Sequence, residues 1–167
     1  YSARTAVVDQ TGNIYLYGQF HDAWFGGFHL EAINDNPDLF LAKYDSAGNV
    51  LWARQAGGPN SDTPHDLAID AAGRAYVSGT FEAIFTLGTT NLAGRGEYPD
   101  YFLAHYDPDG NVLWARLAHT NQFSPYNLAI DAADRLYLCA YFLDTIVLGT
   151  HVFTAAGCDP TVITGGI

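Results

Sequence analysis

The sequence contains no methionine, not even at its first position, as expected for a chain that begins inside a longer or processed polypeptide. Basic residues are scarce: 7 Lys and Arg stand against 18 Asp and Glu, a net charge of −11, and Lys43 is the sole lysine. A surface that follows phosphates needs clustered Lys and Arg, so this balance argues against a nucleic-acid partner. The same charge is repelled by anionic membranes, and no run of 18 apolar residues is present to insert as a span. Only two cysteines occur, Cys139 and Cys158, without Cys-x-x-Cys spacing. A Cys139–Cys158 disulfide and two free thiols both remain open. No stretch reads as a helix of ten or more residues. A Gly-x-Ser-x-Gly elbow is also missing, and Gly94-Arg95-Gly96 is too short for a phosphate loop.

Apolar residues make up 49% of the chain, enough to fill a core, and 11 Tyr with 10 Phe favour sheet over helix. The 17 Gly and 7 Pro imply many turns, but they follow no period of three, which excludes collagen. The dominant feature is repetition. Asp38 to Gly58 and Asp100 to Thr120 share 14 of 21 residues at a spacing of 62. Leu67 to Gly88 and Leu128 to Gly149 share 11 of 22 at a spacing of 61, and an earlier copy runs from Ala6 to Phe20.

Each block predicts a β-hairpin. Asp-x-x-Gly occurs at Asp9–Gly12, Asp45–Gly48, Asp70–Gly73 and Asp107–Gly110, with Asp131–Asp134 as a fifth copy. Asp at the first turn position accepts backbone N–H groups, and Gly at the fourth takes positive φ. One unit therefore holds four strands, near 66–70, 74–80, 101–106 and 111–117. An insertion over about 81–99 joins the second to the third, with a short extra strand at 85–87. A four-stranded meander at a fixed period predicts propeller blades, because one meander cannot bury both faces alone. A β-helix would need shorter, parallel rungs; a sandwich built from hairpins is the other alternative. The fold class expected is all-β: an arc of about two and three-quarter four-stranded antiparallel blades. The chain reads as one repeat domain over 1–167, with units near 3–58, 64–120 and 125–167.

The block at Asp38, Phe40, Tyr44, Asp45, Gly48, Asn49, Leu51 and Trp52 recurs at Asp100, Phe102, Tyr106, Asp107, Gly110, Asn111, Leu113 and Trp114. With Asp70, Gly73, Tyr76, Gly79 and Phe81 in the other hairpin, it resembles the β-propeller repeats of large secreted bacterial proteins, a family often described as seven-bladed. The resemblance covers the chain to about Gly157. It implies a secreted or cell-surface adhesion, scaffold or binding region with no shared catalytic residue. The third unit departs from the pattern: Ala140 replaces Gly18 and Gly79, Asp159 and 161–164 mark a third strand, and the Leu-Trp-Ala-Arg strand is missing. The expectation is a fragment of a larger propeller, or several chains that close a ring, with a strand exchanged between chains completing the last blade.

Trp52 and Trp114 are expected to pack between blades, with Arg54 and Arg116 on the same strand face. Asp70, Gly73, Asp131, Tyr76 and Tyr137 are read as structural repeat residues. Asp107-Pro108-Asp109-Gly110-Asn111 opens like a calcium loop. The helix–loop–helix version is excluded because Ala118 occupies the twelfth position, but a looser calcium site at Asp107 and Asp109 is a candidate. No other cofactor is expected. The six histidines do not repeat and lack zinc spacing. Insertions of repeat proteins carry binding residues on one face, which makes Trp24, Phe25, Asn34, Asp35, Glu82, Arg95 and Tyr98 the candidate ligand contacts. The bland reading of the first insertion is a small satellite core that includes Trp24 and Phe28. The function expected is a non-catalytic extracellular structural or binding module with a protein or carbohydrate partner. The alternatives are a lectin-like carbohydrate binder, and an enzyme part with loop-borne catalytic residues.

Overall fold

The five Asp-headed turns organise the chain, and they close alike. In the turn at 107–110, the Gly110 N–H donates to the Asp107 carbonyl and the Asp107 N–H to that of Asn111. One Asp107 carboxylate oxygen accepts the N–H groups of Asp109 and Asn111, and the other accepts the Asn111 side-chain amide. The fourth position has φ between +76° and +86° in the four glycine copies, and Asp134 adopts +58° in the fifth. That is left-handed backbone, which Gly takes freely and Asp tolerates.

These turns join five pairs among the 17 strands of a computed structural model that describes residues 1–96, 98–118, 123–142, 145–148, 151–154 and 162–164. The first unit holds β1 (Ser2–Val8), β2 (Ile14–Phe20), β3 (Asp22–Phe25), β4 (Phe28–Glu31), β5 (Asp38–Tyr44) and β6 (Val50–Gly57). The second holds β7 (Thr63–Ile69), β8 (Ala75–Phe81), β9 (Ile84–Leu87), β10 (Thr90–Ala93), β11 (Asp100–Tyr106) and β12 (Val112–Ala118). The third holds β13 (Phe123–Ile130), β14 (Leu136–Phe142), β15 (Thr145–Leu148), β16 (His151–Thr154) and β17 (Val162–Thr164). A one-turn 3-10 helix, Ile33–Asp35, is the helical element of the described residues.

Blade 1 is the antiparallel meander β1-β2-β5-β6, and blade 2 is β7-β8-β11-β12. Blade 3 shows β13-β14-β17. The protein is all-β, an open arc of four-stranded repeating units. First strands of successive blades lie side by side, β1 by β7 and β7 by β13. Asp66 ties them together: its carboxylate accepts the Leu128 N–H at 2.7 Å and the Thr5 hydroxyl at 3.5 Å.

The insertions differ from the sequence expectation. They are not loops with one short strand but two-stranded hairpins, β3-β4, β9-β10 and β15-β16. Blades that meet at their first strands splay at their fourth, and the hairpin fills the gap. β9 pairs with β6 of the preceding blade, Ala56 opposite Leu87 and Gly57 opposite Thr86, while β10 lies against β12. Phe85 and Leu87 are fully buried there, in a cluster with Tyr15, Tyr17, Trp52, Phe81 and Phe102. Burying side chains of that size stabilises by roughly 2–3 kcal/mol each. A second cluster joins blades 2 and 3, through Tyr76, Leu103, Leu128 and Leu138 among others.

Candidate functional site

Strand parity divides the first insertion. Ala23 and Phe25 face inward, and Phe25 packs 4.6 Å from Phe40 in a cluster with Phe20 and Ala42. Trp24, between them, points the other way and is 65% exposed. Its ring stacks on His29, directly opposite on β4, with centroids 4.4 Å apart and planes 15° apart. His29 Nε2 in turn meets Asp22 Oδ1 at 2.8 Å. One indole face is braced by a hydrogen-bonded imidazole, so the ring has a fixed orientation on an open surface. Aromatic platforms of this kind bind apolar faces of ligands at low entropic cost.

Phe25 is a core residue rather than a ligand contact. Asn34 and Asp35 sit in the 3-10 turn beside this hairpin, both with positive φ (55° and 57°), and the Asp35 carbonyl lies 3.0 Å from His21 Nδ1. Glu82, Arg95 and Tyr98 belong to the second unit and are exposed. The Arg95 N–H donates to Asp100, which fixes the chain's return from the hairpin. The structure thus places the candidate contacts on two successive units, Trp24, Asn34 and Asp35 on the first and Glu82, Arg95 and Tyr98 on the second.

Asp107 uses both carboxylate oxygens on its own turn, and the Asp109 carbonyl accepts from Arg54 Nη2 at 2.8 Å. Among the described residues, no group of three or more His, Cys, Asp or Glu converges on one point. Asp70 has a buried carboxylate paired with Arg74, and the Gly73 carbonyl accepts the Tyr15 hydroxyl across the blade junction at 2.9 Å. The equivalent hydroxyl in blade 3, that of Tyr137, donates instead to Asp131 of its own turn. Trp52 is buried and its Nε1 donates to the Pro108 carbonyl. The Arg54 and Arg116 guanidiniums lie over Trp52 and Trp114 at 5.5 and 5.3 Å. Tyr76 stacks on His105 at 4.0 Å. Cys139 carries a free, half-buried thiol, and Cys158 lies outside the described residues.

Two buried carboxyls escape the sequence reading as a pair. Asp38 and Asp62 are 0% and 1% exposed, and one oxygen of each has no hydrogen-bond partner. Burial pushes the Asp62 carboxyl up to about 8, the charge of Asp38 adds to this, and the Gly58 N–H only partly offsets it. Burial raises Asp38 too, against hydrogen bonds from Gln55, Ile33 and Gly58. Asp38 was legible as a repeated residue; Asp62 lies in the link between blades, where no copy marks it. A crevice between blades lined by Tyr17, Leu41, Arg54, Val77 and Tyr106 offers ≈ 10 Å³, room for about one water.

A family model described as a beta-propeller repeat matches residues 51–80, from β6 of blade 1 through β8 of blade 2. The fold is β-propeller-like. An uncharacterized WD repeat-containing protein of Acanthamoeba polyphaga mimivirus is 28% identical over 156 residues, 83% of this chain and 11% of its own length. The regulatory protein FlaEY of Caulobacter vibrioides is 28% identical over 118 residues, 68% of this chain and 12% of its own length. The chain thus spans about one-ninth of the length of these curated relatives. One is viral and one bacterial, so the likeness supports the propeller-type repeat without assigning it to secreted bacterial proteins.

Proposed function

We propose that this propeller-type segment is a non-catalytic binding module, displayed outside the cell, that presents the β3-β4 hairpin to carbohydrate. The observation that carries the reading is Trp24: a 65% exposed indole held flat by His29, with Asp22 behind it. An indole face suits the apolar face of a sugar ring, and Asn34 and Asp35, in the turn that follows the hairpin, offer groups for its hydroxyls. Parity keeps this face clear of the blade core, so the frame and the binding surface are separate parts of one hairpin. The net charge of −11 suits a soluble extracellular surface.

Glycan-array screening followed by calorimetric titration of the best hit tests the reading. Trp24→Ala is expected to abolish binding while the far-ultraviolet circular dichroism stays unchanged. Equal binding by the variant, or no glycan bound by the wild type at millimolar concentration, overturns it. Confinement of the native protein to the cytosolic fraction overturns the extracellular part.

A further inference from the structure

The three insertion hairpins pair in one register, so their positions match one to one. Asp22 faces Glu31 and Trp24 faces His29 in the first. Ile84 faces Ala93 and Thr86 faces Asn91 in the second, and Thr145 faces Thr154 and Val147 faces Val152 in the third. The second hairpin has its preceding blade seated: β9 pairs with β6, and Phe85 and Leu87 are fully buried. The alternate positions stay open all the same. Ile84 is 56% exposed, and Asn91 and Ala93 are exposed. A seated blade therefore covers the side of the hairpin that carries Ala23 and Phe25 in the first copy, and leaves the side of Asp22 and Trp24 to solvent.

The open face of the first hairpin has its own chemistry. Asp22 and Glu31 are exposed and directly opposite, a like-charge pair where the other copies have Ile84 with Ala93 and Thr145 with Thr154. Like charges opposite each other on one sheet face cost stability, and the other two hairpins form without them. Asp22 meets His29 Nε2, and among the described residues neither carboxylate pairs with a Lys or Arg. No Lys or Arg occurs between residues 5 and 42. One cross-strand pair farther along the same face, the Trp24 indole lies on His29. Two residues along a strand span roughly 7 Å, about the reach of a pyranose ring and one substituent.

We propose that the Asp22–Glu31 pair makes the Trp24 platform selective for amino sugars: the apolar face of a glucosamine-type ring stacks on the indole while its ammonium group lies against the two carboxylates. This rests on the carbohydrate-binding role proposed for the hairpin and narrows it. An ammonium group relieves the repulsion between the carboxylates, and a cation is also drawn to an indole face. Acidic sugars meet the same pair as a repulsion, which excludes them.

Calorimetric titration of the whole chain with a glucosamine oligomer, at a pH where its amines are protonated, tests this against the N-acetylated oligomer of the same length. The first is expected to bind about tenfold or more tighter than the second, and an oligogalacturonate is expected not to bind. Asp22→Asn combined with Glu31→Gln is expected to bring the two oligomers to equal affinity with the circular dichroism unchanged, whereas Trp24→Ala abolishes binding of both. A lysine oligomer of equal charge carries ammonium groups but no ring face, and it is expected to bind about tenfold or more weaker than the glucosamine oligomer. If the wild type binds the N-acetylated oligomer as tightly or more tightly, and Trp24→Ala loses both, the amino-sugar selectivity is overturned and carbohydrate binding stands. If the wild type binds no saccharide, both are overturned. A preference that persists in the folded double variant, or a lysine oligomer bound as tightly as glucosamine, also overturns the selectivity.

Discussion

Replacing Asp62 with Asn is expected to remove a pH dependence that the wild-type fold carries. Asp62 is 1% exposed and its carboxyl is held up to about 8, against about 3.9 in an unfolded chain. The folded state therefore holds the proton more tightly, and between about pH 4 and pH 8 the native protein binds more protons than the unfolded one. Stability from this group falls as pH rises through that window. Three pH units, from 5 to 8, at about 1.4 kcal/mol per unit amount to on the order of 4 kcal/mol. For a domain of this size that corresponds to roughly 10 °C in Tm. Burial of Asp38 acts in the same direction. The turn carboxylates behave oppositely. Burial of Asp9 works against its charge, but hydrogen bonds from Thr11 and Asn13 outweigh it and hold the group to about 2. Its contribution is lost only at lower pH, as the pH falls from about 4 through 2. Thermal melts of wild type and Asp62→Asn at pH 5, 6, 7 and 8 separate the effects. The wild type is expected to lose Tm across the series, while the variant stays nearly level and melts higher at pH 8. Parallel curves, or a variant that melts lower at pH 8, would refute the assignment of the burden to a buried Asp62.

Three further outcomes follow from the packing. Phe85→Ala empties a site between Phe81 and Phe102, whose centroids lie 5.0 and 4.5 Å from that of Phe85; a loss of about 3–5 kcal/mol is expected from urea unfolding midpoints. Gly58→Ala drives a methyl group onto the Ile84 carbonyl oxygen, which is backbone and cannot swing aside. It is expected to cost about 1–3 kcal/mol and to speed amide exchange in 84–93 ahead of the blade 1 strands β1, β2, β5 and β6. Trp24→Ala, on the exposed side of its hairpin, is expected to change unfolding free energy by no more than about 0.5 kcal/mol, measured in the same urea series.

Much of the fold was legible because the chain states it more than once. Asp-x-x-Gly-Asn is a local device: an Asp side chain, a Gly φ and two N–H groups close the turn at 45–49 and again at 107–111 without help from elsewhere. The alternating runs on either side then pair as meanders. The insertion hairpins were less legible. Four-residue strands such as Ile84–Leu87 and Asp22–Phe25 share little sequence, and an isolated hairpin of that length has marginal stability. What makes β9-β10 a hairpin is the space between β6 and β12, which exists only once two blades have packed. The same dependence misassigned Phe25: proximity to Trp24 in sequence suggested a shared role, whereas pleat parity sends the two side chains to opposite faces.

By itself, then, the sequence determined the Asp-headed turns, the strand pairs that flank them, the repeat period and the excess of negative charge, because each of these rests on contacts within a few residues, on repetition or on composition. Tertiary structure alone decided where the hairpins insert, that Asp62 loses its water beside Asp38, that Trp24 is braced by His29, and that Lys43 and Arg54 find carbonyls on the next blade. Desolvation and hydrogen-bond partnership are properties of what lies across a gap in space, and residues 56 to 65 positions apart in the chain meet at that junction only after the blades have come together.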